Sequence, residues 1–184
     1  MFKKLAVTAV VLGLLVVGLA WMLKKNADSV SDGSPDEALL KVVTTTTMVT
    51  DMVRIIGGER VSVQGMMGPK VNPHSYQVTF KDTSALNKAD LIFYSGHHLE
   101  GKMQDVLEKR AENKGGVFAV TDAIDKDKLL KPQGQFQGYY DPHLWGNPEL
   151  WANCVDVVVE ALSAADPDGA DEYELRADMY FDEL

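Results

Sequence analysis

Residues 41–58, "KVVTTTTMVTDMVRIIGG", change from a strand pattern to a helix pattern within one short stretch. The first part, 41–47, is almost entirely β-branched, which favours an extended strand. From Met48 to Ile56 the apolar residues recur with the spacing of a helix face, and two glycines then supply a stop signal. The sequence therefore predicts a domain that opens with a strand followed directly by a helix.

The same alternation continues downstream and predicts a sheet. Further strands are predicted at 61–64, 90–96 and 117–122, separated by a helix that Thr79 or Asp82 caps and that runs towards Lys88, and by a helix from Glu100 to Asn113. The segment 90–96 is nearly continuous in apolar character, as a strand covered on both faces should be. Strands that alternate with helices indicate an α/β domain whose parallel sheet is flanked by helices.

The C-terminal part of the chain is predicted to be helical. Pro148 suits the first turn of a long helix from Glu149 to Ala164, and Asp166-Pro167 starts another that reaches the end of the chain. An apolar stripe on this last helix predicts a surface on which it packs, which we expect to lie beyond the chain; its members are Ala170, Tyr173, Ala177, Phe181 and Leu184.

The first forty residues are predicted to lie outside the globular domain. An uncharged run from Leu5 to Leu23 is bracketed by lysine pairs; it exceeds the ~7–15 residues of a signal-peptide core and approaches the ~20 that span a bilayer. Residues 1–25 are therefore a signal peptide or an N-terminal membrane anchor, and Trp21 favours the anchor. Residues 26–40 are polar and predict a flexible tether. Both alternatives place the domain outside the cytoplasm, in the periplasm or on the outer face of the cytoplasmic membrane.

The charge of the exported part favours cations as ligands. Four of the 18 basic residues flank the apolar run, which leaves 14 basic against 27 acidic residues and a formal charge of −13. Such a balance argues against nucleic acid as a partner. The single cysteine, Cys154, lies on the apolar face of a predicted helix with Val158 and Ala161, which indicates a core residue rather than a thiolate ligand.

Two Pro-His steps are the residues best suited to chemistry. His74, in "VNPHSYQVTF" at 71–80, follows the second predicted strand, and His143, in "DPHLWGNP" at 141–148, follows the fourth after a loop of unusual length. Ligands of open α/β sheets collect beyond the carboxyl ends of the strands. Because proline restricts the backbone around it, both imidazoles are held in stiff loops that suit zinc, manganese or ferrous iron. The alternative is that each histidine only bonds to loop backbone.

Three further residues are weaker candidates. His98 and its neighbour His97 also follow a strand end, but adjacent residues of an extended segment point in opposite directions, so at most one is expected to face a shared crevice. Glu100 is close enough in sequence to join them, or lies at a helix N-terminus, where its charge is favourable. Asp141 either orients the imidazole of His143, as carboxylates do for metal-bound histidines, or only starts a turn.

The stretch from "VVTTTTMVTDMVRIIGG" to "SGHHLEGKM", together with "YYDPHLWGNPELW", resembles the metal-binding receptors of ABC importers for zinc and manganese. These are the cluster A-I solute-binding proteins, which include ZnuA-like and TroA-like members. The resemblance covers about residues 41–184 and rests on the paired motifs G-x-x-x-x-P-H-x-[YF] and D-P-H-x-W. Members are not enzymes; they capture the metal for an ABC permease in the cytoplasmic membrane.

The resemblance implies two lobes joined by a long rigid helix, with the metal between them. It implies that His74 and His143 are two of four ligands and that the other two come from a second lobe that is largely missing here. We therefore expect an N-terminal metal-binding lobe at 41–147, a long linking helix at 148–165, and the start of a truncated second lobe at 166–184. The sequence also departs from the family, because it has no cysteine at the end of the leader for a lipid and has "WGNP" after the second histidine.

Two other functions remain open at this point. A metallohydrolase could use the same histidines, but it needs an open metal position and a nearby base, and no carboxylate is placed convincingly for that role. An anchored surface or adhesion protein could carry the histidines for structural reasons only.

Overall fold

The computed structural model describes residues 39–131 and 139–184, and these form one compact unit. The predicted leader at 1–25 and nearly all of the predicted tether at 26–40 lie outside the described residues. The strands are β1 (Leu40–Thr44), β2 (Val61–Gly65), β3 (Leu91–Tyr94) and β4 (Val117–Ala119). They pair in parallel in the order β2-β1-β3-β4, so the predicted α/β class with a parallel sheet is confirmed.

The helices that connect and follow the strands are α1 (Thr47–Gly57), α2 (Phe80–Lys88), α3 (Gln104–Lys114), α4 (Pro148–Ala152), α5 (Cys154–Ala165) and α6 (Ala170–Glu183). The predicted first strand ends three residues early because Thr46 caps α1 and accepts a hydrogen bond from the backbone of Val49. At α2 both predicted caps act together, since the Thr79 hydroxyl accepts from the backbone of Asp82 while the Asp82 carboxylate accepts from the backbone of Thr79.

The sheet is covered on both faces. Successive strand residues point to opposite sides, so Val42 of β1 joins the core beneath α1, α5 and α6, whereas Val43 joins a second core beneath α2 and α3. In β3, Phe93 and Ile92 divide between the two cores in the same way. Parallel strands buried on both faces explain the unbroken apolar run at 91–93.

The C-terminal helices pack onto the same core, so the boundaries predicted at 147 and 165 do not separate packing units. The predicted helix 149–164 is two helices that meet at Asn153, whose side-chain amide donates to the carbonyl of Glu149. Cys154 is fully buried in this core, as predicted, and burial raises the pKa of its thiol to about 12.

The predicted stripe on the last helix is correct at two positions and wrong at two others, and its fifth member, Ala170, is half-buried. Tyr173 and Ala177 are buried because α6 packs against α1 and α5 of the same chain, so the expectation that this surface lies beyond the chain was wrong. Phe181 and Leu184 remain 40% and 41% exposed. Tyr180 is buried in their place, and its hydroxyl accepts a hydrogen bond from the indole of Trp151 at 3.0 Å. Across the described ranges, the structure has no helix that is both long and apolar enough to span a bilayer.

Candidate metal centre

Both Pro-His loops leave the carboxyl ends of strands. His74 lies in a short 3₁₀ turn, Pro73–Ser75, between β2 and α2, and His143 lies between β4 and α4, directly before a second 3₁₀ turn. Parallel strands present their carboxyl ends at one edge of the sheet, and this edge is where open α/β domains bind ligands.

The two loops share one local structure. In each loop, the residue two positions before the histidine has a side-chain oxygen that accepts from the histidine backbone N–H: Asn72 Oδ1 at 3.0 Å from His74 N, and Asp141 Oδ1 at 3.0 Å from His143 N. This is an Asx turn closed over a proline. The part that Asn72 plays was missed in the sequence, although the shared Asx-Pro-His pattern was visible there.

The two turns bring the imidazoles together. His74 Nε2 and His143 Nε2 lie 3.3 Å apart, with ring centroids 5.2 Å apart and planes inclined by 57°. Two nitrogens bound to one tetrahedral zinc at ~2.0–2.1 Å would be separated by roughly 3.3 Å. The pair therefore has the spacing of two ligands of a single ion.

Asp141 also contacts the ring of His143. Its Oδ1 lies 2.6 Å from Nδ1. An ionised carboxylate only accepts hydrogen bonds, so Nδ1 carries a proton in this contact, and the lone pair of the neutral ring is left on Nε2. The two hydrogen bonds from His143, the backbone one foremost, hold the pKa of Asp141 below its ordinary value. Asp141 thus holds both the backbone and the imidazole of His143 through one carboxylate oxygen.

A cavity of about 420 Å³ lies beside the pair, and all four histidines of the chain line it. His97 and His98 face it together, which corrects the expectation that at most one would do so. The segment is not extended at this point, because His97 and His98 have φ values of 46° and 61° in the left-handed region. The usual alternation of side chains therefore does not apply.

Glu100 is placed differently from the other candidates. It is 1% exposed and is not among the residues that line the cavity. Its carboxylate accepts from the Thr45 hydroxyl at 2.6 Å and from the backbone N–H groups of Ser95 at 2.8 Å and Gly96 at 3.3 Å. Burial raises the pKa of Glu100, although these hydrogen bonds oppose the shift. Its position is that of an internal brace for the loop that carries His97 and His98.

Within residues 39–131 and 139–184, no group of three or more His, Cys, Asp or Glu side chains is arranged to hold a metal ion. The described part of the chain therefore presents two imidazole donors at ligand spacing, with Asp141 behind one of them. Further ligand positions of an ion held there would be open to water, to a small molecule or to other protein groups.

Comparison with solved structures supports this reading of the fold. The periplasmic zinc-binding protein TroA from Treponema pallidum superimposes with a TM-score of 0.73 at 36% identity, over 79% of this chain and 51% of that chain. Zinc-bound AdcA from Streptococcus pneumoniae superimposes with a TM-score of 0.68 at 26% identity, over 79% of this chain and 30% of that chain.

The comparisons also confirm the resemblance seen in the sequence. The manganese-binding lipoprotein MntA of Bacillus subtilis is 42% identical over 154 residues, which are 84% of this chain and 49% of that protein. The chain spans about half the length of the curated relatives it matches. The family described as "Zinc-uptake complex component A periplasmic" (ZnuA) matches residues 42–184, and the chain belongs to this family.

Proposed function

We propose that the chain captures a divalent transition metal, zinc or manganese, outside the cytoplasmic membrane and delivers it to an ABC permease. The observation that carries this proposal is the 3.3 Å separation between His74 Nε2 and His143 Nε2. That spacing suits a shared ion, and the aspartate behind His143 is a common companion of metal-bound histidines. The ion is cargo in this function and is released again.

The relatives support the same function. MntA is named as manganese-binding and TroA as zinc-binding, and further relatives are named as substrate-binding lipoproteins of manganese or metal ABC transporters. Their names describe binding proteins rather than enzymes. Lipoproteins and periplasmic proteins act outside the cytoplasm, which agrees with a leader at 1–25 that exports or anchors the domain.

The affinity of a site with two protein ligands is expected to be lower than that of a site with four. Each protein ligand replaces a water of the ion, and two imidazoles leave the remaining positions to other groups. The acidic balance of the chain, 27 acidic against 18 basic residues, attracts divalent cations without choosing among them. Specific capture must therefore be distinguished from such general attraction.

Calorimetric titration of the chain with Zn²⁺ and Mn²⁺ at moderate salt tests the proposal. We expect one saturable site that disappears in His74→Ala, in His143→Ala and in the double variant. Glu174→Ala, an exposed carboxylate on α6, is the matched control and should bind as the original chain does. Unchanged binding in the double histidine variant, with the same melting temperature, would refute the assignment of the site.

A further inference from the structure

We propose that His97 and His98 are positioning residues, whose rings support the tyrosine pair next to Asp141 and so hold His143 in place for the metal. This inference rests on the proposed function, because the site that it concerns is the metal site. It assigns the two histidines a packing role and not a role as ligands.

The two adjacent histidines contact two adjacent tyrosines edge to face. The ring centroids of His98 and Tyr139 are 4.3 Å apart at an interplanar angle of 75°, and those of His97 and Tyr140 are 5.9 Å apart at 66°. Edge-to-face packing is a favoured geometry for aromatic rings because the positive edge of one meets the negative face of the other. Two such contacts in register join the β3–α3 loop to the segment that precedes Asp141.

The β3–α3 loop, which carries His97 and His98, is held in place by hydrogen bonds and close packing. Gly96, His97 and His98 have φ values of 106°, 46° and 61°, and Leu99 N donates to Gly96 O at 2.9 Å, which closes a tight turn. The buried Glu100 carboxylate accepts from the backbone at the start of this turn. A Cβ on Gly96 would lie 2.5 Å from the Thr121 hydroxyl, so the turn also fits closely against its neighbours. The backbone that carries the rings of His97 and His98 is therefore fixed in this turn.

Tyr139 and Tyr140 are joined through the backbone to Asp141, which contacts His143. Tyr140 precedes Asp141, whose backbone N–H donates to Leu130 O at 2.8 Å, while its carboxylate accepts from the backbone and the ring of His143. A shift of Tyr139 and Tyr140 would move Asp141. The orientation of His143 would then change with it.

The contacts that the structure shows for His97 and His98 are made by the faces and edges of their rings. Each ring packs against a tyrosine ring, and within the described residues the buried Nε2 of His97 has no hydrogen-bond partner. An unpaired buried nitrogen costs free energy, so an apolar ring of similar size at position 97 would remove that cost and keep the packing surface. Phenylalanine should therefore replace both histidines in this role, and alanine should not.

The test compares two double variants of the full chain: His97→Phe with His98→Phe, and His97→Ala with His98→Ala. Both pairs meet the same left-handed backbone, so its strain cancels in the comparison. The Zn²⁺ affinity is measured by competition with a chromophoric chelator. We expect the phenylalanine pair to remain close to the original chain and the alanine pair to bind about tenfold more weakly, as for a lost supporting contact.

A second readout works without metal. In the metal-free protein, the backbone amide NMR signals of Asp141 and His143 should move in the alanine pair and stay in the phenylalanine pair. If the alanine pair does not fold, His97→Asn with His98→Asn replaces it, because asparagine tolerates the left-handed conformation and has no ring.

Two results would overturn the inference. Equal loss of zinc binding in both pairs would show that the nitrogens are required, and unchanged NMR signals and affinity in the alanine pair would show that the rings support nothing. Absence of zinc binding by the original chain would instead refute the proposed function, and the NMR comparison would still decide the positioning role.

Discussion

Asp141 accepts two hydrogen bonds from His143 at the same oxygen, one from the backbone N–H at 3.0 Å and one from ring Nδ1 at 2.6 Å. Asn72 gives His74 only the backbone half of this arrangement. The two loops thus share a turn, but only the second has a carboxylate on the imidazole. His143 is held in one orientation and one tautomer by its own loop, whereas His74 depends on the turn alone.

Asp141→Asn is expected to weaken zinc binding by about 10- to 100-fold, the usual effect of losing the carboxylate behind a metal-bound histidine. The variant makes the second loop Asn-Pro-His, as in the first, so the turn can still form. The loss should therefore come from the ring contact and not from unfolding. Competition titration with Zn²⁺ measures the affinity, and thermal denaturation of the metal-free protein checks the fold.

Asn72→Ala is the matched control for this prediction. It removes a hydrogen bond to the backbone of His74 and no contact to the ring, so the affinity should fall less than in Asp141→Asn. An equal or larger loss in Asn72→Ala would mean that the turns, and not the carboxylate, determine how well the histidines bind.

Glu100→Ala is expected to lower the free energy of unfolding by about 3 kcal/mol, because it leaves buried donors of Thr45, Ser95 and Gly96 without an acceptor. Urea denaturation at neutral pH measures the change. Glu108→Ala on α3, where the side chain is exposed and accepts a hydrogen bond from Gln104, should stay within about 0.5 kcal/mol of the original chain. Similar values for the two variants would show that the buried carboxylate braces nothing.

The order of strands and helices could be predicted because each has its own apolar period. The change from β1 to α1 follows from the local change of apolar period. The unbroken apolar run of β3 follows from burial of that strand on both faces. His74 and His143 could be chosen because each follows a strand end and a proline. The distance between their ring nitrogens could not be obtained from their spacing in the sequence, since it depends on how two distant loops fold over one edge of the sheet.

The turn at His97 and His98 could not be predicted from local sequence. Positive φ is uncommon outside glycine, and two such residues in succession are held here by long-range contacts of Glu100 and by the fit of Gly96 against Thr121. The burial of Tyr180 in place of Phe181 has a similar cause, because α6 packs against α1 and α5 of the same chain. Tertiary contacts decided each of these points.

Asp166 links the start of α6 to Arg60, and its removal should matter most at neutral pH. Two guanidinium hydrogen bonds, at 2.7 and 2.8 Å, and one from the Tyr173 hydroxyl lower the pKa of Asp166 from its ordinary 3.8 to about 2. Because the folded pKa is depressed, the stabilisation is present above about pH 4 and is lost as the pH falls towards 2.

Asp166→Asn should therefore lower the free energy of unfolding by about 2 kcal/mol at pH 7. This value is somewhat smaller than the pKa shift alone would give, because the partly exposed ion pair is screened by solvent. The difference between the variant and the original chain should shrink as the pH falls below 4. Urea denaturation at pH 7 and pH 3 measures it, and Asp168→Asn, an exposed neighbour, is the control. A constant difference at both pH values would contradict the ion pair as the cause.

Arg110 is buried at 6% exposure and donates to three backbone carbonyls, those of Leu86, Ala89 and Gly115, which lie at the carboxyl ends of α2 and α3. Arg110→Met keeps the apolar stem but removes the guanidinium as donor to all three carbonyls, of which only that of Ala89 keeps a second donor in Lys114, so the free energy of unfolding should fall by about 3 kcal/mol. Lys114→Met removes a more exposed contact to one of the same carbonyls and should cost less than about 1 kcal/mol. Urea denaturation ranks the two variants. An equal cost would mean that the charge near these helix ends, rather than the fixed geometry of the guanidinium, stabilises them.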